Sequence, residues 1–284
     1  MSRRFRGGAF DRVADDYDRH RPAYPDELVD QACELGSLGP GDEVLEVGCG
    51  TGQLTRALLS RGLRVTAVEP GERLLALARR SLDGAGDVEF VNSRLEDARL
   101  PRERFAAVFS ASAIHWVDPD IGWQRIADAL APDGTLALIQ YFGLDDPYSA
   151  ADQRALLRAV ERVAPETAAG WPVYRDLDTT LAGVLERRTN ISEAWAWLGG
   201  HDLGRSYVAA LFDDAEMETT ALPFEHTAQE INALIGTMSF WSQLSPARRA
   251  ALEDENRALH DRLGRPIRSS TLACLATARR ALPQ

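Results

Sequence analysis

The chain has 284 residues, and all 32 of its basic residues are arginine, because it contains no lysine. The missing lysine excludes Schiff-base enzymes, phosphate-loop NTPases, kinases that need a strand lysine and dehydrogenases built on a Tyr-Lys pair. A formal net charge of -11 disfavours nucleic acid as a partner, since each phosphate contact needs a cation.

Cysteine usage and the lack of long apolar runs restrict the class further. The chain has three cysteines, Cys33, Cys49 and Cys274. This odd number at wide spacing fits neither a disulfide framework nor a zinc site. The sequence shows neither a signal peptide nor a membrane-spanning run. We therefore expect a cytoplasmic protein with no bound metal and no membrane partner. Its oligomeric state stays open.

Short apolar runs alternate with helical patterns over the first half of the chain. This alternation is typical of βαβ units in a mostly parallel sheet. The strands are predicted at residues 44–47, 64–68, 88–91, 105–110 and 135–141. The helices between them are predicted at 53–60, 72–80 and 116–130, and the last is followed by a turn at 132–134.

Beyond residue 145 the pattern changes to Ala-, Leu- and Arg-rich helical stretches. They predict an inserted group of helices at 150–163, 177–188 and 192–198. Two more strands, at 217–222 and 269–278, flank helices at 228–238 and 246–263. The elements together predict an α/β fold, with a doubly wound, mostly parallel, seven-stranded Rossmann-like sheet and a helical cap inserted after the fifth strand.

A glycine-rich loop joins the first strand to its helix. Residues 46–52 read Glu-Val-Gly-Cys-Gly-Thr-Gly, whereas a dinucleotide fingerprint needs a glycine at Gln53. Glu46 puts an acid in the loop, which suits a cationic ligand better than a phosphate. Glu69 ends the second strand, where a carboxylate can accept both hydroxyls of a ribose. A ribose joined to a cation describes S-adenosylmethionine, although the loop alone also fits a plain turn in another nucleotide fold.

Six stretches of the sequence resemble the class I S-adenosylmethionine-dependent methyltransferases. More narrowly they resemble a group of small-molecule enzymes that includes the trans-aconitate methyltransferases. The stretches are residues 10–17, 21–25, 44–55, 65–70, 93–97 and 114–119. The resemblance covers the first half of the chain and implies S-adenosylmethionine as the cofactor. It also implies a cofactor-binding core at 1–144, a helical insert that caps the substrate at 145–213, and completion of the core by 214–284.

The loop and the resemblance together indicate the cofactor site. The resemblance implies that Tyr17 and Arg21 close over the methionine end of the cofactor. Arg94 stands where such relatives often carry an Asp that contacts adenine, so we expect the Leu95 backbone and the Glu96 side chain to take that role. The expected contacts are Tyr17, Arg21, Glu46, Gly48, Cys49, Gly50, Gln53, Leu54, Glu69, Pro70, Leu95, Glu96 and Ala111.

Methyl transfer from a sulfonium is an in-line displacement, so a general base is optional. His115 follows the fourth strand and is the candidate base; alternatively, His115 and Trp116 form a lid over the cofactor. We expect Trp116, Tyr141 and Trp171 to bind the substrate.

The function expected from the sequence is transfer of a methyl group to O, N or C of a small organic molecule. Residues 110–113 read Ser-Ala-Ser-Ala, unlike the Asn/Asp-Pro-Pro-aromatic run of amino-methylating DNA and glutamine enzymes. Two alternatives stay open. One is a cofactor-binding protein of the same fold with a cyclase or regulatory role, and the other is a tRNA or protein methyltransferase.

Overall fold

The computed structural model describes residues 24–282 except 214 and 239, and it describes no side chain at 169, 170 or 242. Tyr17 and Arg21, two of the expected cofactor contacts, lie outside the described residues. Within the described part of the chain no helix is both long enough and apolar enough to span a membrane.

The described strands form one mixed sheet in the order β3-β2-β1-β4-β5-β8-β7, with β6 paired to β5. Strands β1 to β5 run parallel, and β8 runs antiparallel to both β5 and β7. Their bounds are β1 Glu43–Val47, β2 Arg64–Val68, β3 Val88–Val91, β4 Phe105–Ala111, β5 Leu130–Leu144, β6 Tyr174–Arg175, β7 Glu216–His226 and β8 Ile267–Arg279.

This sheet confirms the predicted α/β class and the mostly parallel Rossmann-like order. The predicted number of seven strands is one too low. The additional strand, β6, has only two residues, too few for an alternation of apolar and polar residues to be recognised in the sequence. The turn expected at 132–134 lies within β5, where Asp133 has a φ of 61° and the pairing register with β4 shifts.

Nine α-helices occur in the described residues. They are α1 Asp26–Leu35, α2 Gln53–Ser60, α3 Glu72–Ser81, α4 Pro119–Ala129, α5 Ala150–Val163, α6 Leu177–Leu185, α7 Ile191–Gly199, α8 Ala228–Gly236 and α9 Pro246–Leu263. The sequence analysis did not predict α1. The helix expected at 116–130 is a 3-10 turn, Ile114–Trp116, followed by α4. The break has a local cause, because the Asp118 side chain accepts a hydrogen bond from the Asp120 N–H and Pro119 occupies the first turn.

Alternate side chains of the sheet enter two apolar layers. Ile139 of β5 packs with α1, α2 and α3 on one face. Leu138, its neighbour, packs with α4 and α7 on the other face. This alternation follows from the two-residue period of a strand. Because helices cover both faces of the sheet, the parallel strands appear in the sequence as nearly continuous apolar runs.

A third apolar cluster is built from α5, α8 and α9, with Ile267 of β8 buried among them. These helices come from both sides of β7 in the sequence, so segments distant along the chain share one core. By contrast, α7 packs on the sheet in the layer that contains α4. The division of the chain at residues 144 and 213 stays a prediction.

Strands of unequal length shape the carboxyl edge of the sheet. Strand β4 ends at Ala111 beside Ile139, whereas β5 continues to Leu144 and pairs with β6 at Gly143. Strand β6 therefore lies beyond the end of β4, on the β4 side of β5. A Cβ on Gly143 would come within 2.7 Å of the Tyr174 ring, so glycine allows this approach.

Past the end of β5, helix α5 caps the lateral edge of β8. The Gln153 amide donates to the Ser270 carbonyl at 3.2 Å, and Asp152 accepts from the Arg268 N–H at 2.9 Å. These side chains take the place of a paired strand, so the backbone groups of β8 keep hydrogen-bond partners.

Candidate functional site

Three glycines of the loop at residues 46–52 have positive φ angles, and they serve two different purposes. A Cβ on Gly48 would lie 2.3 Å from the Ala113 Cβ, and one on Gly52 would lie 2.6 Å from Leu82. Glycine at these positions allows close packing. At Gly50, whose φ is 55°, no described atom lies within 4 Å of the Cβ position. The loop therefore presents open backbone at Gly50, where a ligand can approach closely.

Glu46 and Glu69 are both buried beside this loop, with 1% and 6% of their surfaces exposed. Glu46 accepts a hydrogen bond from the Thr55 hydroxyl at 2.6 Å. Burial raises the pKa of Glu46 to about 7; the Thr55 bond opposes that shift, and the charge of Glu69 adds to it.

Backbone N–H groups hold both oxygens of Glu69. One oxygen accepts from Gly50 at 3.0 Å, and the other accepts from Gly71 at 2.8 Å. These two bonds fix the position of Glu69 against the glycine loop. The expected placement of both acids at the carboxyl ends of β1 and β2 agrees with the structure.

The start of α2 offers backbone rather than side chains to a ligand. Cys49 and Leu54 are buried in the apolar layer, and burial raises the pKa of the Cys49 thiol well above its usual range. Helix α2 begins at Gln53, and no side chain caps it at Gly52. N–H groups at such an end favour an anionic group, such as the carboxylate of an amino acid.

Glu96, expected to contact adenine, already has two partners in the structure. One of its oxygens accepts from Arg94 at 2.6 Å and from the Asp118 N–H at 2.9 Å. It thus links the segment after β3 to the start of α4. The Leu95 side chain is buried in the sheet layer, so only its backbone can face a ligand. The adenine contacts stay a prediction.

Asn92 is a residue of this edge that the sequence analysis missed. Its amide donates to the carbonyls of Glu69 at 3.0 Å and Pro70 at 3.3 Å, which ties the end of β3 to the end of β2. A polar residue immediately after a strand was the available signal, and no motif marked it.

The segment after β4 packs against the glycine loop. Ser112 has a φ of 52° and donates its N–H to the Ile139 carbonyl at 2.8 Å. The following residue, Ala113, is the one that a side chain at Gly48 would strike. The close contact with Ala113 therefore requires glycine at position 48. The expected contact Ala111 lies half-buried at the same edge.

His115 lies in the 3-10 turn after β4 and packs between two rings. Its imidazole is 4.6 Å from that of His201 at an interplanar angle of 14°, and 5.0 Å from the Trp116 ring. His201 follows α7, and Gly199 leaves it room, because a Cβ there would lie 2.9 Å from the His201 ring. The sequence analysis assigned no role to His201. Base and lid both remain possible roles for His115.

The three expected substrate-binding aromatic residues lie in different surroundings. Tyr141, near the end of β5, stacks on Tyr24 with ring centroids 5.6 Å apart, and burial raises its pKa to about 12. Trp116 is half-buried beside His115. Trp171 is buried in the third cluster, 6.1 Å from the Phe240 ring. Their contacts with a substrate stay a prediction.

Comparison with known proteins agrees with this geometry. The family model described as a methyltransferase domain matches residues 44–134, which include the glycine loop, Glu69 and His115. Residues 44–134 of this chain therefore form a methyltransferase domain. An uncharacterised methyltransferase of Mycobacterium tuberculosis is 35% identical to it over 138 residues, 49% of this chain and 54% of that protein.

The methyltransferase domain has further relatives. The malonyl-[acyl-carrier protein] O-methyltransferase of Serratia marcescens is 31% identical over 108 residues, 38% of this chain and 41% of that enzyme. A putative type II methyltransferase from Anaeromyxobacter dehalogenans has the same fold, with a TM-score of 0.55 at 23% identity over 91% of this chain and 97% of that one. The chain spans about half the length of the curated relatives it matches.

The match to a methyltransferase domain supports S-adenosylmethionine, the expected cofactor. The residues present fit it: Gly50 leaves open backbone, two buried acids lie beside the glycine loop, and the uncapped start of α2 suits a carboxylate. The narrower resemblance to the trans-aconitate enzymes is not confirmed.

Proposed function

We propose that this protein transfers the methyl group of S-adenosylmethionine to a small organic acceptor. The observation that carries the proposal is the open backbone at Gly50 beside the anchored carboxylate of Glu69, at the same sheet edge as the aromatic and histidine side chains. That juxtaposition supports a cofactor site next to an apolar surface for an acceptor.

The proposed roles of the chain follow from these positions. When bound, S-adenosylmethionine supplies an activated methyl group. Gly50 and the first turn of α2 bind the cofactor through backbone, and Glu69 binds its ribose. His115, His201 and Trp116 exclude water from the reacting atoms, and the stacked Tyr24 and Tyr141 contact the acceptor. In this proposal Tyr17 and Arg21 close the methionine end.

A small acceptor is favoured over a polymer by charge. The net charge of -11 repels a phosphate backbone. The Serratia relative acts, by its name, on a malonyl group carried by a protein. We infer that the acceptor here is an organic molecule bearing a carboxylate, hydroxyl, amine or acidic carbon.

The test is incubation of the purified chain with methyl-labelled cofactor and a panel that contains each of these four acceptor classes. We expect transfer of label to one class together with formation of S-adenosylhomocysteine. Tight cofactor binding without product on any acceptor would instead support the cyclase or regulatory alternative. Salt-sensitive binding to tRNA or to a protein, with label transferred to it, would support the polymer alternative.

A further inference from the structure

Glu46 and Glu69, the two buried acids at the carboxyl edge of the sheet, have unequal sets of hydrogen-bond donors. Glu69 accepts from two backbone N–H groups, which stabilise an ionised carboxylate. Glu46 accepts from one hydroxyl, that of Thr55, and is 1% exposed. When two carboxylates share a low-dielectric site, the one with fewer donors holds a proton more tightly. The geometry therefore assigns the weaker acid to Glu46.

The groups that face Glu46 come from three elements. Helix α2 supplies the Thr55 hydroxyl, the end of β2 supplies the Glu69 carboxylate, and the loop supplies the neutral thiol of Cys49. Among the described residues no cationic side chain contributes to the pKa of Glu46. The charge of Arg79 acts on Cys49, where it lowers the pKa of the thiol, but the Arg79 side chain lies exposed over the Phe90 ring.

We propose that Glu46 is protonated in the cofactor-free protein below neutral pH and releases this proton to the solvent when S-adenosylmethionine binds. The O–H bond of the carboxylic acid breaks, the proton passes to water and then to buffer, and the carboxylate that remains balances the positive charge of the cofactor. The proposal rests on cofactor binding by this domain and is independent of which acceptor is methylated.

The sign of the pH dependence follows from this exchange. The free protein has a Glu46 pKa of about 7, and the bound cation lowers it. Binding at pH 6 then releases about one proton, and binding above pH 8 releases almost none. Cofactor affinity rises about tenfold from pH 6 to pH 7.5. The α-amino group of the cofactor titrates only near pH 8, so it is almost fully charged at pH 6, where proton release is measured.

The experiment is calorimetric titration of the whole chain with S-adenosylmethionine at pH 6. It is run in two buffers of different ionisation enthalpy, so that the heat difference gives the number of protons released. Glu46→Gln removes the titrating group and should release no proton. Glu43→Gln is the matched control, because Glu43 lies on the same strand but is paired with Arg64 and Arg104. It should release the same number as the native chain.

A second variant keeps the proposal testable if Glu46→Gln fails to bind cofactor. Thr55→Val removes the hydrogen bond that favours the carboxylate, so the pH at which proton release is half complete should move upward. Infrared difference spectra at pH 6 should also show a protonated-carboxyl band that S-adenosylmethionine removes and that Glu46→Gln lacks. No proton release at pH 6 by the native chain, or equal release by Glu46→Gln, overturns the proposal. Failure of every acceptor in the methyl-transfer test leaves these readouts unaffected.

Discussion

The carboxyl edge of the sheet and the third helical cluster are built on different principles. At the edge, the cofactor site that we propose depends on backbone: open space at Gly50, two N–H donors on Glu69 and the uncapped start of α2. In the cluster of α5, α8 and α9, apolar side chains such as Trp171 and Phe240 hold together segments that lie on both sides of β7. Substitutions in the two regions should therefore separate cofactor affinity from stability.

The largest expected effect is on stability, from Trp171→Ala in the helical cluster. Removing a ring that is 7% exposed leaves a cavity beside Phe240 and costs about 3–5 kcal/mol of unfolding free energy. Denaturant unfolding measures the loss. Calorimetry on the folded variant should show unchanged cofactor affinity. A large drop in cofactor affinity would mean that the two regions are coupled and that the comparison fails.

The next effect is on binding, from Gly50→Val. A valine at this position projects into the space where we propose that the cofactor binds, so we expect at least about 100-fold weaker cofactor binding, or about 2.7 kcal/mol. Backbone strain is the confounding cause, since φ at Gly50 is 55°. Gly41→Val is the matched control, because Gly41 also has a positive φ of 93° and no described atom within 4 Å of its Cβ position. It should lose similar stability and keep its affinity.

Sequence reasoning found the features that local signals mark and missed contacts between distant segments of the chain. The glycine loop and the acids at the ends of β1 and β2 were predicted because strand ends and turn residues are local signals. The stack of His115 on His201 was missed, because 86 positions of chain separate the two and no period or spacing connects them. Helix α1 was also missed, although its buried residues Leu28, Val29 and Ala32 lie on one face.

An intermediate effect is expected from Glu69→Ala. The variant loses the carboxylate that accepts from Gly50 and Gly71 and that we propose binds the ribose. Loss of hydrogen bonds to a charged group corresponds to about 2 kcal/mol, or about 30-fold weaker cofactor binding. Glu69→Gln should recover part of that loss, because the amide oxygen still accepts. Equal affinities for the native chain and Glu69→Ala would place the ribose elsewhere.

The smallest effect compares two helix caps, of which only one is hydrogen-bonded to Glu96. Asp118 caps α4 by accepting from the Asp120 N–H, and Asp176 caps α6 by accepting from the Thr179 N–H. Replacing either residue with Ala should cost about 1 kcal/mol of unfolding free energy. Only Asp118 also donates its own N–H to Glu96. Fraying of the helix at Asp118 should therefore release Glu96 at the carboxyl edge of the sheet. Cofactor binding should then weaken by less than about tenfold. The Asp176 variant should bind cofactor as the native chain does, so equal affinities for the two variants would show that the Glu96 link does not hold the site.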